Sequence, residues 1–251
     1  ASELRRLSEH VGEPVLVSAT TLEAVRFALA LAEDTDGAFD PTVGHAMAAR
    51  GFDRNHRTGE RVAVANAVAN AENATYRDVE IDAVGSTITL HRPLQLDLGA
   101  VAKGLAVDLA ARALAPLANF AINAGGDLFV SGENAAGAAW SVGIRHPRDE
   151  HSLIDTLRVS NAAVCTSGDY ERTSPRDGSH HILDPRPGVR AAEVASATVV
   201  APLAMVADGL ATAAFVLGPS RGIELLVRHG VEGLIVTPGL ERFTTPAFQC
   251  G

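Results

Sequence analysis

Two cysteines, Cys165 and Cys250, are all that the 251 residues contain. That excludes a disulfide framework and leaves too few thiols for a cysteine-built zinc site, and it says nothing about compartment. Aromatic residues are scarce too, at 4%, so a core must be assembled from Ala, Val, Leu and Ile. Positive charge is short: 21 Lys and Arg stand against 30 Asp and Glu, a formal net charge of −9. A chain so charged does not bind nucleic acid nonspecifically. An anionic ligand must then be met by local devices such as a metal ion, a helix N-terminus or a single lysine. No apolar run approaches the roughly 20 residues of a membrane-spanning helix. Near the start there is neither a signal peptide nor a lipid-attachment cysteine. The opening Ser2-Glu3-Leu4-Arg5-Arg6 reads as a helix or turn already under way, so a preceding segment, with any export signal or anchor, is expected upstream. Two locations stay open: cytoplasmic, or extracytoplasmic and membrane-anchored with the signal removed.

What is present is ordinary for a soluble globular chain, with 47% hydrophobic and 20% charged residues. The length suits one large domain or two subdomains. A helix is expected over Thr21 to Asp34, with Thr20 and Glu23 as a capping box, Gly37 as its stop, and Leu22, Val25, Leu29 and Ala32 on its apolar face. The stretch 61–75, rich in Ala, Val and Asn, has no clear period. Short strands are expected at Tyr76 to Asp82, Thr87 to Leu90 and Leu94 to Leu98. A second helix is expected from Gly99 to Leu114, with Val101, Leu105, Leu109 and Ala113 on one face. Strands should follow at Phe120 to Asn123, Leu128 to Ser131, Trp140 to Ile144, Ile154 to Val159, Ala162 to Thr166 and Ala195 to Ala201. A third helix is expected over Pro202 to Leu217, with proline in its first turn, then a short helix over Arg221 to His229 and a strand over Leu234 to Thr237. Runs of strands broken by single helices give an α+β class with mixed or antiparallel sheets and packed helices. There is no repeat and no low-complexity linker, so composition marks no internal boundary.

Five places carry chemistry. Asp208 and Thr212 are four residues apart in the third helix, so they project about 40° from one another on one face. An aspartate in so apolar a run is costly to bury unless paired or metal-bound, and carboxylate with hydroxyl is hard-oxygen chemistry suited to Mg²⁺. The competing view, commoner on spacing alone, turns Asp208 to solvent and bonds Thr212 back to its own helix. In Asp97-Leu98-Gly99-Ala100-Val101-Ala102-Lys103-Gly104, continuing to Asp108, a strand gives way to a helix start whose free N–H groups receive phosphates. Lys103 in the first turn is disfavoured by the helix dipole unless an anion is present; an exposed lysine on an ordinary turn is the alternative. The paired glycines of Asn123-Ala124-Gly125-Gly126-Asp127 permit either a close ligand or simply a left-handed turn. Thr166-Ser167-Gly168-Asp169-Tyr170 lacks the strand–turn–helix elbow of a hydrolase serine and fits a ligand-contacting loop. His181, in His180-His181-Ile182-Leu183-Asp184-Pro185, has a carboxylate nearby and is a candidate base, or else a surface histidine.

Together with Gly37-Ala38-Phe39-Asp40-Pro41-Thr42-Val43-Gly44, these blocks resemble, in order, those of the FAD:protein FMN transferase family, also called the ApbE family. The resemblance runs from about residue 2 to 240, and six blocks in register are specific. It implies a single transferase domain over residues 1–251 with a T-fold-related architecture and an active site in a cleft between two subdomains. At its start the sequence departs from the pattern, lacking the N-terminal strand and helix with which family members contact the flavin. By resemblance, Asp208 and Thr212 with the Ala100 carbonyl are Mg²⁺ ligands, and His181 and Asp208 are catalytic. Ala38, Phe39, Asp40, Asp97, Lys103, Gly125, Gly126, Asp127, Ser167 and His181 are expected to bind FAD, the substrate. The implied reaction moves FMN from FAD to a Thr or Ser hydroxyl of an acceptor flavoprotein and releases AMP. The alternatives are a Mg²⁺-dependent FAD pyrophosphatase and an FAD-binding protein without turnover.

Overall fold

The computed structural model describes residues 2–52, 74–171, 173–174, 178, 180–186 and 193–248. Residues 61–73 of the Ala/Val/Asn-rich stretch, and Cys250, lie outside the described residues. The chain forms two compact units: the first takes residues 1–98 and 173–189, the second residues 99–172 and 190–251.

In the first unit, helix α1 (Glu3–Glu9) is capped by Ser2, and strand β1 (Val15–Leu16) leads into helix α2 (Ala19–Asp34). The α2 cap is Ser18, not Thr20: its hydroxyl accepts from Thr21 N at 3.2 Å. The reason lies outside the helix. The Glu3 carboxylate of α1 accepts from Ser18 N (2.9 Å), Ser18 Oγ (2.8 Å) and Thr21 Oγ1, fixing Ser18 as the helix entrance. The buried stripe is Ala24, Val25, Ala28, Leu31 and Ala32. Gly37 ends α2 as expected, at φ +74° with its N–H on Ala32 O (2.9 Å). Helix α3 (Gly44–Ala49) follows. Of the expected strand Tyr76 to Asp82, the first three residues form a 3₁₀ turn with Thr75 and Asp78 as a reciprocal capping box, and only β2 (Val79–Asp82) is extended. With β3 (Thr87–Leu90) they complete an antiparallel sheet of order β1-β3-β2. Leu94 to Leu98 is not a strand. It is tied instead to the 37–44 loop through the Val43–Gln95 bridge, Gly44 N to Gln95 O (3.1 Å) and Asp97 N to Pro41 O (2.7 Å).

The second unit contains α4 (Ala102–Leu114), β4 (Phe120–Ala124), β5 (Asp127–Ser131), β6 (Trp140–His146), β7 (Asp149–Val159), β8 (Ala162–Gly168), β9 (Ser196–Ala201), α5 (Ala204–Leu217), α6 (Pro219–Arg228), β10 (Glu232–Val236) and β11 (Arg242–Thr244). Its six-stranded sheet has the order β11-β10-β9-β8-β5-β4 and is antiparallel throughout. The hairpin β6–β7 packs Val142, Ile144 and Leu157 against Val130, Val164, Leu234 and Val236 of the sheet. Because side chains alternate along a strand, Cys165 and Ser167 lie on the face opposite Val164, toward α5. Pro202 precedes α5 instead of sitting in its first turn; the proline at a first helical position is Pro219 of α6. The α4 face also differs from expectation. Gly104, Leu105, Val107 and Asp108 are buried, while Leu109 is 41% exposed, because α4 meets α5 through its smallest residue and a carboxylate. The architecture is α+β, with antiparallel sheets and packed helices.

Candidate active site

The site begins at the α4–α5 contact in the second unit. A Cβ on Gly104 would lie 2.6 Å from Met205 Cα and still closer to the Ala204 carbonyl, so only glycine lets the two backbones approach this far. Leu203, the N-cap of α5, offers no side-chain acceptor. Asp108 substitutes from the neighbouring helix: its Oδ1 accepts from Ala204 N at 2.7 Å and its Oδ2 from Met205 N at 2.9 Å. A carboxylate at a helix N-terminus satisfies orphan N–H groups and complements the dipole. Sequence reasoning placed Asp108 in a motif without giving it this task; the available signal was a carboxylate four residues from Gly104 on a helix face that had to be buried.

This clamp sets α5 beside the first turn of α4. Lys103 Nζ donates to both Asp208 carboxylate oxygens at 3.0 Å, and Gly104 N–H donates to Asp208 Oδ2 at 3.2 Å. Asp127, the first residue of β5, brings its Oδ2 within 2.6 Å of the same ammonium as a second charge pair. Both carboxylates are about 3% exposed, whereas the lysine side chain is half-exposed. Burial pushes the Asp208 carboxyl up from the usual carboxylate range; Lys103 pulls it back and Asp127 pushes it up again. Burial alone would lower the Lys103 ammonium, but Asp208 and Asp127 outweigh it and hold the group above its ordinary range. Two buried carboxylates therefore share one ammonium. Beneath them Cys165 is fully buried, its Sγ 3.6 Å from Ala204 O, and burial with the nearby carboxylates drives its thiol far up, as befits an inert packing residue.

One turn along α5 from Asp208, Thr212 Oγ1 reaches out of its helix to Ser167 Oγ in β8 at 2.9 Å. Ala100 lies in the turn leading into α4. Gly125 and Gly126 form the two-residue loop joining β4 to β5, both at positive φ (+69° and +102°), with Gly126 N–H on Asn123 Oδ1 (3.0 Å). This hairpin turn demands left-handed residues at both positions, and it places Asp127 at the head of β5.

Lys103, Asp127, Ser167, Asp208 and Thr212 are thus gathered in the second unit. Ala38, Phe39, Asp40, Asp97 and His181 belong to the first. There Ala38 and Phe39 are buried, at 0% and 6% exposure. Asp40 accepts from Thr42 N (2.8 Å), Thr42 Oγ1 (2.7 Å) and Tyr76 N (3.1 Å). His181 is partly buried, with Phe52 edge-on at 6.3 Å between ring centroids. Asp184, three residues on, is held by the Arg186 guanidinium in a two-point pair.

Among the described residues no three His, Cys, Asp or Glu side chains cluster as a metal cage. The donors beside Lys103 are a carboxylate and a hydroxyl one helical turn apart, the sparse oxygen set that Mg²⁺ accepts when substrate phosphates and water complete its shell. This arrangement coincides with extensive similarity to known proteins. Residues 1–235 match the model of the ApbE family. The chain is 32% identical to the FAD:protein FMN transferase of Vibrio cholerae over 264 residues, covering 99% of this chain and 77% of that protein. Against the FAD:protein FMN transferase of Treponema pallidum it is 35% identical, covering 94% of this chain and 71% of that protein. The crystal structure of the ApbE protein of Thermotoga maritima superposes with a TM-score of 0.85 at 35% identity, covering 98% of this chain and 82% of that one. With the matched region spanning both units and every motif residue of the cluster, this chain belongs to the ApbE family.

Proposed function

We propose that the protein transfers FMN from FAD to a Thr or Ser hydroxyl of an acceptor flavoprotein, releasing AMP, with Mg²⁺ held by Asp208 and Thr212 and the Ala100 carbonyl. The observation that carries the metal assignment is the charge imbalance at Lys103: two buried carboxylates face one ammonium. Asp208, Thr212 and the Ala100 carbonyl would hold a divalent cation, which would offset the surplus negative charge and supply Lewis-acid polarisation of the pyrophosphate. The rest is done by the chain itself. Lys103 and the first turn of α4, whose N-cap Val101 provides no side-chain bond, offer positive charge to a phosphate. Asp127 keeps the Lys103 ammonium charged and directed. The hydroxyl oxygen of the acceptor bonds to the phosphorus on the FMN side, and the P–O bond to the AMP side breaks, so that AMP leaves with the bridging oxygen. His181 is assigned as the base that takes the hydroxyl proton.

The test is incubation with FAD, Mg²⁺ and an acceptor domain, following covalent FMN on the acceptor by mass spectrometry and AMP by chromatography. One FMN per AMP is expected, and neither product with Asp208→Asn or His181→Ala. AMP appearing at the same rate without acceptor would establish hydrolysis of FAD instead. FAD recovered intact with acceptor present would leave a binding protein.

A further inference from the structure

We propose that Ser167 is a positioning residue: its hydroxyl fixes the rotamer and proton direction of Thr212, so that a lone pair of Thr212 faces the cation. The inference rests on the metal assignment above and extends it to Ser167, which the resemblance assigned to FAD and which here acts through Thr212.

The starting point is hydroxyl bookkeeping. A threonine hydroxyl has one proton and two lone pairs. If a lone pair is given to a cation, the proton must point elsewhere and needs an acceptor. In a helix, threonine divides between two χ1 rotamers, because its Oγ1 also bonds the carbonyl a turn earlier. A hydroxyl turned back in that way is committed to its own backbone. Here Thr212 Oγ1 is drawn out of α5 to Ser167 Oγ at 2.9 Å. Ser167 is itself only 9% exposed. Its place is set by β8–β9 pairing, opposite Ala197 in the register that also joins Gly168 to Ser196. A serine fixed by a central strand is a rigid partner, and with Thr212 as the donor, as the lone-pair requirement demands, the bond selects one rotamer of Thr212. The hydroxyl thus selected stands one turn from Asp208, whose own carboxylate is oriented by Lys103 and Gly104 N–H. Partners of this kind, beyond the ligands themselves, orient metal ligands and change affinity when removed.

The experiment measures metal binding directly, by isothermal titration with Mg²⁺ and by Mn²⁺ electron paramagnetic resonance, without flavin or acceptor. Wild type, Ser167→Ala, Ser167→Thr, Thr212→Val, Asp208→Asn and the Ser167→Ala/Thr212→Val double variant are compared. Ser167→Ala is expected to weaken metal binding by about 10- to 100-fold, and Ser167→Thr, which keeps the hydroxyl, to restore it. In the Thr212→Val background, removal of the Ser167 hydroxyl should cost nothing further, since it acts only through Thr212. In transfer assays, excess Mg²⁺ should recover most of the Ser167→Ala rate. Metal affinity unchanged in Ser167→Ala, while Thr212→Val and Asp208→Asn are weakened, overturns the Ser167 role and leaves the metal assignment standing. Unchanged affinity in Thr212→Val as well overturns both. Weakened FAD binding by Ser167→Ala in the absence of any divalent cation would show a direct ligand contact, which also overturns the role. Should Ser167→Ala fail to fold, Ser167→Cys, whose sulfur is a poor hydrogen-bond acceptor, decides the matter: it should weaken metal binding in the wild-type background and cost nothing further with Thr212→Val, and an equal loss in both backgrounds refutes the coupling.

Discussion

Asp40 shows how much of a sequence motif can be occupied with building the loop that carries it. Its carboxylate takes three donors, two from Thr42 and one from Tyr76. Burial raises its pKa from the ordinary 3.8, against the opposing pull of the Thr42 and Tyr76 hydrogen bonds. A carboxyl whose folded pKa is raised contributes stability that is present below 3.8 and is lost as pH rises through the folded value. Asp40→Asn cannot serve all three donors, since its amide nitrogen would face one of them. It should therefore cost about 1–3 kcal/mol. The gap between wild type and variant should narrow as pH rises from below 4 toward neutrality, read by urea unfolding across that range. A gap that widens with pH would mean the hydrogen bonds, not burial, dominate at this carboxyl. The residues of this loop and of the Lys103 cluster were legible in the sequence as types and spacings. Their partners were not, because Asp40 and Tyr76 stand 36 positions apart and Lys103 and Asp208 105 positions apart.

At the scale of elements, the decisive contact is α4 against α5, and apolar periodicity misplaced it. Counting Val101, Leu105, Leu109 and Ala113 as one face follows hydrophobicity, yet the face that packs contains Gly104 and Asp108. A hydrophobicity pattern has no means of scoring a glycine buried for closeness or a carboxylate buried as a neighbour's cap. The capping-box spacing of Thr20 to Glu23 placed the α2 cap two residues late, because Glu3, which holds Ser18, lies far upstream. Asp108→Ala should orphan two buried N–H groups of α5 and cost about 1–3 kcal/mol. Gly104→Ala meets backbone instead of a flexible side chain, so the helices must separate, at a similar cost. Both variants should lower the denaturant midpoint. Gly104→Ala should also weaken metal binding, because it displaces the turn bearing Lys103 from Asp208. Equal metal affinity in Gly104→Ala and wild type would mean that this spacing does not matter to the site.

For the whole molecule, the interleaving of the two units explains why composition marked no boundary: the chain leaves the first unit after residue 98 and returns to it only for 173–189. Strand order in the six-stranded sheet was equally hidden, since β8 pairs with β5 across the β6–β7 hairpin. The net charge of −9 bears on binding at this same scale. A dianionic pyrophosphate approaching an acidic protein is opposed by its overall field; in the function proposed above, Lys103 and the cation reverse the local sign. FAD and Mg²⁺ should then stabilise the fold together more than the sum of each alone. A ligand that binds only the folded state adds about 2.7 kcal/mol at one hundred times its Kd, so the joint effect is readable as a rise in unfolding midpoint. Chelation with EDTA should reverse most of that rise, and Asp208→Asn should show only the metal-independent remainder. An equal FAD-induced rise with and without the cation, in wild type, would refute metal-assisted pyrophosphate binding and leave Lys103 and the α4 N-terminus as the whole of the anion site.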